Sequence, residues 1–567
     1  MKLLRLLAIS VILLLLIAVA ALWWNRPGKT DMADYAPADS LVYIEVDSLP
    51  EVIKAIRSSD VWKSVAATVG SNTQPQSSWS LLAARTGLAP TEAVLYSRAQ
   101  FALVVLGIDA TEKDEQLHVK PEVALIVETH TANWRMKGKA IENIKRLADF
   151  AYGTSVCSER SAEVHYVDCL EKQGPRKIVA AIDGSIITIA NSDEALQKCL
   201  GVRRGQRPSL RTDPELASLR RNLKSDSGLA FGYVSQLNAA RLVSLAGPLF
   251  LGKAPGDQQL EQLLSKSSAK ILRSIAWVST PSRGGIEDRY HIALDPDVVK
   301  RLEPAFDTAT PNEDFWQAIP DAFRSLTIYR SKNPQAAWSS LDSAVAMKLD
   351  AVSSVIFAAL LKASLTGYGI DDPKTTIGAL SSPLITLRPA LGEGSLLIGK
   401  IADESQLRRA ISSALIGSGK GQLIDNIRVE PNGEKEFTAL LLDGFLIMGK
   451  TEDVAVYLAQ VRNKEMISSK RIESLKLSNR RSDSAIVTYT SERSSFAGII
   501  RSLSLLNSRS FTESELDKIT NSLTNLDCAW TESAMDSNGI DRRTQSAFGQ
   551  FGNLLSFAQA DSSAPRP

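Results

Sequence analysis

Short segments between residues 40 and 290 of this chain return, in the same order, after residue 325, so the fold must accommodate one element order twice. The repeat is clearest near its ends. Ala276-Trp277 followed by Gly285-Ile286-Glu287-Asp288-Arg289 is echoed by Ala529-Trp530 and Gly539-Ile540-Asp541-Arg542-Arg543. Two apolar runs, Val179 to Ile189 and Thr438 to Met448, are each interrupted by an Asp-Gly pair, Asp183-Gly184 and Asp443-Gly444. Asp-Gly favours the positive φ angles of a two-residue turn, so each run predicts a tight antiparallel hairpin. Ser225-Asp226-Ser227 pairs with Ser482-Asp483-Ser484, Leu216 and Leu219 with Ile472 and Leu475, Thr86-Gly87 with Thr366-Gly367, and Ser40 to Ile44 with Ser325 to Tyr329. The spacing between copies shortens steadily along the chain, as it does when a second copy has shorter loops.

Apolar patterns predict strands at Leu41 to Val46, Phe101 to Ile108, Val123 to Thr129, Val164 to Leu170, Ile178 to Ile182, Ile186 to Ala190, Leu229 to Val234 and Ile275 to Ser279. Glu163 to Asp168 alternates and reads as half exposed, and several of the others are continuous apolar runs. Helical patterns occupy Leu49 to Arg57, Trp134 to Tyr152, Asp193 to Leu200 and Asp213 to Leu223. Such runs need helices over at least one sheet face. The expected fold class is α+β: an N-terminal transmembrane helix, then two similar lobes of mostly antiparallel sheet with packed helices. The boundaries are an anchor over residues 1–24, a linker over 25–37, a first repeat over 38–300, a connector over 301–320, a second repeat over 321–555 and a disordered tail over 556–567.

The N-terminal expectation rests on the run from Leu6 through Leu16 to Trp24, in which Ser10 is the one polar residue. As a helix it would span about 28 Å, close to bilayer thickness. Lys2 and Arg5 precede it, and Trp23-Trp24 with Arg26 and Lys29 follow. That order keeps the N-terminus in the cytoplasm and exports the remainder. Ala18-Val19-Ala20 leaves a cleaved signal peptide as the competing reading. The later apolar stretch Val352 to Leu361 is too short to span and reads as a buried helix.

With 65 Lys plus Arg against 63 Asp plus Glu, the charge balance disfavours a nucleic-acid partner. The densest basic cluster, Arg203, Arg204, Arg207 and Arg211, reads as a solvated loop, with lipid headgroups or an anionic polymer as the alternative. Of four cysteines, Cys157 and Cys169 flank a short polar turn and are the candidate disulfide of an exported chain; Cys199 and Cys528 sit in apolar contexts. The four histidines, His118, His130, His165 and His291, are scattered without metal-ligand spacing, so no metal or cofactor is expected.

Catalytic motifs are incomplete. Gly417-Ser418-Gly419-Lys420-Gly421 lacks the first glycine of a phosphate loop and the Ser or Thr that would hold magnesium. Ser267-Ser268-Ala269-Lys270 has Ser-x-x-Lys spacing without an accompanying Lys-Thr-Gly. Glu287-Asp288 belongs to the repeated Gly-Ile-acid element and reads as turn and strand-edge chemistry.

The opening Pro37-Ala38-Asp39-Ser40-Leu41-Val42-Tyr43-Ile44-Glu45-Val46, with Thr86-Gly87-Leu88, resembles the bacterial family of exported or membrane-anchored proteins catalogued as domain of unknown function 3352. The resemblance covers most of residues 35 to 550, implies an envelope location and brings no catalytic residues. Two functions follow as expectations. The first is a non-enzymatic binding or structural protein, single-pass in the bacterial inner membrane, with its bulk in the periplasm or outside the cell. It would meet the lipid bilayer through its N-terminal helix and an envelope protein, lipid or polymer through a cleft between the lobes. The second is an exported hydrolase with a nonstandard site.

Overall fold

The computed structural model describes residues 29–66, 99–131 save 114–115, 133–250, 268–309, 313–348, 365–390, 394–412, 437–474, 481–491 and 528–552, besides a few isolated positions. The membrane run with Leu6, Leu16, Trp23 and Trp24, the Thr86-Gly87 element, Ser267, the stretch Val352 to Leu360, Gly417 to Gly421 and the tail lie outside the described residues. No helix of the described residues is long and apolar enough to cross a membrane.

The apolar runs form strands: β1 Val42–Val46, β2 Gln100–Lys113, β3 Gln116–Glu128, β4 Ser155–Ser161, β5 His165–Glu171, β6 Lys177–Asp183, β7 Ile186–Ala190, β8 Ala230–Val234, β9 Leu272–Ser282 and β10 Gly285–Leu294. In the second half they are β11 Phe323–Tyr329, β12 Leu380–Pro389, β13 Leu396–Ile401, β14 Phe437–Leu442, β15 Phe445–Lys450, β16 Ile486–Thr490, β17 Ala529–Met535 and β18 Gly539–Ser546. Helices begin at Asx-Pro steps, Asp213-Pro214, Asp295-Pro296, Asn333-Pro334 and Asp372-Pro373, where the side chain caps a free amide and proline presets the first turn.

The expected pair of separate lobes is not what forms. All the strands of the described residues join one 18-stranded sheet, in the order β4-β5-β6-β7-β3-β2-β1-β8-β9-β10-β18-β17-β16-β11-β12-β13-β15-β14, with every pairing antiparallel. The order from β6 to β10 is repeated, strand for strand, from β14 to β18. Where a cleft between lobes was expected, β10 and β18 instead form a continuous ladder from Ile286↔Ser546 to Ala293↔Gly539. The physical reason is edge closure: each half ends in a strand with a free row of amides and carbonyls, and pairing the two satisfies both.

At the middle of this seam Arg289 lies opposite Arg543, its own counterpart in the repeat, so a pseudo-twofold axis passes between them. Gly285 and Gly539 explain the repeated Gly-Ile-acid element, which is central to the sheet rather than at its edge. A Cβ on Gly285 would lie 2.2 Å from the Ser546 carbonyl oxygen, and one on Gly539 would lie 2.1 Å from that of Ile292. Both ends of the ladder therefore need glycine for close backbone approach.

Register also corrects two sequence matches. Trp277 pairs with Tyr290 and packs against Gly232, whereas Trp530 pairs with Gln545, on the other face of the sheet. The Ala-Trp dipeptides are thus one residue out of structural register, and a one-residue slip inverts the face. The Asp-Gly pairs differ likewise. The first tight loop is Gly184-Ser185, with only Gly184 at positive φ, and the second is Asp443-Gly444, with both residues at positive φ.

Helices cover both faces. On the face bearing Arg289 and Arg543, called the front, helices Asp193–Arg203 and Pro214–Leu223 bury Leu196, Leu216 and Leu219 against Tyr43, Phe231 and Val278. The second half repeats this, with helix Thr451–Arg462 burying Tyr457 and Leu458 against Leu326, Val487 and Tyr489. On the back of the seam, helix Leu49–Ser58 packs on Ile286, and helices Pro296–Phe306 and Pro334–Ala346 pack beside its counterpart Ile540.

Both stretches expected to be links contribute to the cores. Met32 and Ala33, in a 3-10 turn, are fully buried in the first front core, and Phe315, Trp316 and Ile319 plug the second. The turns in these stretches, Met32–Asp34 and Glu313–Ala318, are too short to show a period, so each stretch reads as linker from sequence alone.

Candidate functional site at the polar seam

Helix Pro214–Leu223 reaches the front of β10 from the first half, and most of the residues that alternate onto the front of the seam are charged. From β10 come Glu287, Arg289 and His291; from β18 come Asp541, Arg543 and Gln545; from β17 comes Glu532. Arg543 donates to Glu287 at 2.5 Å, lies 3.6 Å from the buried Glu532 and stacks 5.3 Å over the Trp530 ring. The bond to Glu287 raises the Arg543 guanidinium above its usual range. Arg289 stands 3.7 Å from the same Glu287, and its Nε makes no hydrogen bond. Both arginines are partly exposed, so the centre of the seam presents cations to solvent.

At one end of the strip His291, 8% exposed, shares a 2.8 Å hydrogen bond with Asp541. That bond raises the imidazole above its ordinary range, against the opposing effect of burial. Asp536, in the β17–β18 turn, completes a group whose ligand atoms lie within 4.8 Å of one another. Spacing along the chain could not reveal this cluster, because the β10–β18 register alone sets His291 beside residues from the other half. On the back face of the seam, towards its Ile286–Ser546 end, burial pushes the Asp288 carboxyl up to about 6 while Ser279 donates to it at 2.5 Å.

A second polar cluster ties the N-terminal segment to the body. Arg220 on helix Pro214–Leu223 pairs with Asp31 at 2.8 Å and Glu45 at 2.7 Å, and lies over Phe231. Burial pushes Glu45 up to about 7, against the pull of Arg220. Gln100 accepts from the Thr30 amide and donates to the Thr30 carbonyl and Asp47, while Lys29 pairs with Asp47. The arginine cluster lands beside this segment: Arg211 meets Asp34, Arg207 meets Asp39, and Arg203 meets Asp183 and the Tyr35 ring.

Cys157 and Cys169 face each other on β4 and β5 and are joined by a disulfide. The same hairpin ends in a chain of hydrogen bonds in which Ser161 Oγ meets His165 Nδ1 at 2.7 Å and His165 Nε2 meets Glu159 at 3.2 Å. Ser161 and Glu159 are exposed, and Glu159 is shared with Lys145. Cys199 is buried, which pushes its thiol up to about 12 and makes it inert, and Cys528 is half-buried. Neither the Gly-rich stretch nor Ser267 can be placed in any site, since both lie outside the described residues.

No family model matches the chain, and no curated protein matches it. Among solved structures, a likeness is found to the one titled "Structure of crystal form III of TP0453", at 9% identity and a TM-score of 0.25, covering 50% of this chain and 90% of that one. A likeness of that size carries no inference about this chain.

Proposed function

We propose that this chain is a membrane-anchored, extracytoplasmic binding or structural protein of the bacterial envelope, which receives its partner on the charged front of the seam. The observation that carries this reading is the seating of Lys29 to Ala36. Only Asn25, Arg26, Pro27 and Gly28 separate this clamped segment from the apolar run that ends at Trp24. An anchor formed by Leu6 to Trp24 would hold the sheet against the bilayer rather than on a loose tether. The Cys157–Cys169 disulfide supports an oxidising compartment. The partly exposed Arg289 and Arg543 supply a cationic centre suited to an acidic surface on a partner.

The test is made in cells. The full chain should fractionate with membranes, be released by detergent alone, and be digested by protease added to spheroplasts. A photo-crosslinking residue at position 289 should yield a discrete adduct that is absent when it is placed at the exposed back-face position 542. Recovery of the chain in the cytosol removes the anchored reading, and an unmodified band at 289 removes the seam as the binding face.

The exported-hydrolase reading draws on one observation, the Ser161-His165-Glu159 chain, whose order is that of a nucleophile, a base and an orienting acid. If it is catalytic, a fluorophosphonate probe labels the protein and Ser161→Ala abolishes labelling. Absence of labelling leaves those bonds as the closure of the β4–β5 turn.

A further inference from the structure

We propose that His291, Asp536 and Asp541 form a binding site for one divalent transition-metal ion of the Zn2+ class. One imidazole and two carboxylates, with a remaining position for water, match the donor set and open coordination of such ions. The three come from β10, β18 and the β17–β18 turn but are held as a unit. His291 is buried on β10, and Asp541 faces it across the ladder at 2.8 Å, so a cation would take the place of the proton they share. Asp536 Oδ1 accepts from the Asn538 and Gly539 amides at 2.8 and 2.9 Å, fixing the turn and leaving Oδ2 for a ligand bond. The Leu294 amide donates to the Asn538 carbonyl at 3.0 Å, which fastens that turn to the end of β10. A metal here would join the two halves of the chain at one end of the seam.

The pseudo-twofold supplies an internal control. The equivalent corner at the other end of the ladder carries Gln545, Glu287 and Ser282 in place of His291, Asp541 and Asp536. There Glu287 is engaged by Arg543 and Gln545 donates to the Arg283 carbonyl, so no comparable donor set forms.

The experiment uses the full chain in detergent, without a polyhistidine tag and after chelator treatment, titrated with ZnCl2 and separately with MgCl2 in a calorimeter. The expected result is saturable binding of one Zn2+ per chain, with no comparable Mg2+ heat. Asp536→Asn and His291→Gln should each weaken Zn2+ binding by at least about tenfold, while Gln545→Ala leaves it unchanged. Asp536 is exposed and its asparagine retains the Oδ1 acceptor, so that variant decides the matter even if the His291 variant misfolds. Failure to saturate with Zn2+, or binding that Asp536→Asn does not alter, overturns the site.

Discussion

On the two sides of the pseudo-twofold, β10 and β18 share a backbone and differ in side chains. Gly285 matches Gly539, Ile286 matches Ile540 and Arg289 faces Arg543, yet Asp288 corresponds to Arg542 and His291 to Gln545. Gly285/Gly539 and Ile286/Ile540 are retained where backbone approach and back-face packing require them, and the two arginines are retained at the axis. The divergent pairs carry polar groups, Asp288/Arg542 on the back and His291/Gln545 on the front. Two copies of one strand can pair about an axis only if each fits the other's backbone, a demand that leaves side chains away from the close approaches free to specialise.

The comparison can be broken most sharply at the glycines. Ala at either 285 or 539 places a Cβ within 2.2 Å of a carbonyl oxygen of the opposing strand, and each variant should lose about 3 to 4 kcal/mol in denaturant unfolding. A large loss at one glycine and none at the other would show that the two ends of the ladder are not equivalent. Next come the paired arginines. Arg543→Ala strands Glu287 and the buried Glu532 and should cost about 2 to 3 kcal/mol. Arg289→Ala removes only the longer contact and should cost under about 1 kcal/mol. Equal losses would mean that the axis, rather than the local ion pairs, sets their worth.

A smaller, pH-dependent effect belongs to Asp288. Its folded pKa, about 6, lies above the ordinary value of 3.8, so the native state binds its proton more tightly than the unfolded state. The resulting stabilisation is full below the unfolded pKa and is lost as pH rises through about 6. Relative to Asp288→Asn, the native protein should therefore lose roughly 2 to 3 kcal/mol between pH 3.5 and pH 7.5, measured as the urea midpoint. A flat difference across that range would contradict the burial. The smallest effect is expected at Val156 and Leu170, neighbours across the β4–β5 hairpin that are 60% and 52% exposed. Replacing either with Thr should change stability by less than about 0.5 kcal/mol.

Legibility in the sequence followed the range of the forces involved. Asp213 announces a helix start because capping acts within a few residues, whereas the same step at Asp295 opens a helix, Pro296–Phe306, that runs into the stretch expected to be a connector. The apolar runs announce strands because burial on a sheet face needs only local composition. The Ala-Trp echo misled, since pairing Trp277 with Trp530 requires the register, and register is decided by partners elsewhere in the chain. His291 gave no metal signal for the same reason.

What the sequence by itself determined is the set of elements, their repetition, and the apolar run that precedes Lys29. The tertiary structure decided that the repeats share one sheet, that Met32 and Trp316 lie in cores rather than links, and that His291 meets Asp536 and Asp541. Local propensity acts along the chain, whereas hydrogen bonding between β10 and β18 is a contest among every free strand edge, and its outcome exists only once the whole chain has folded.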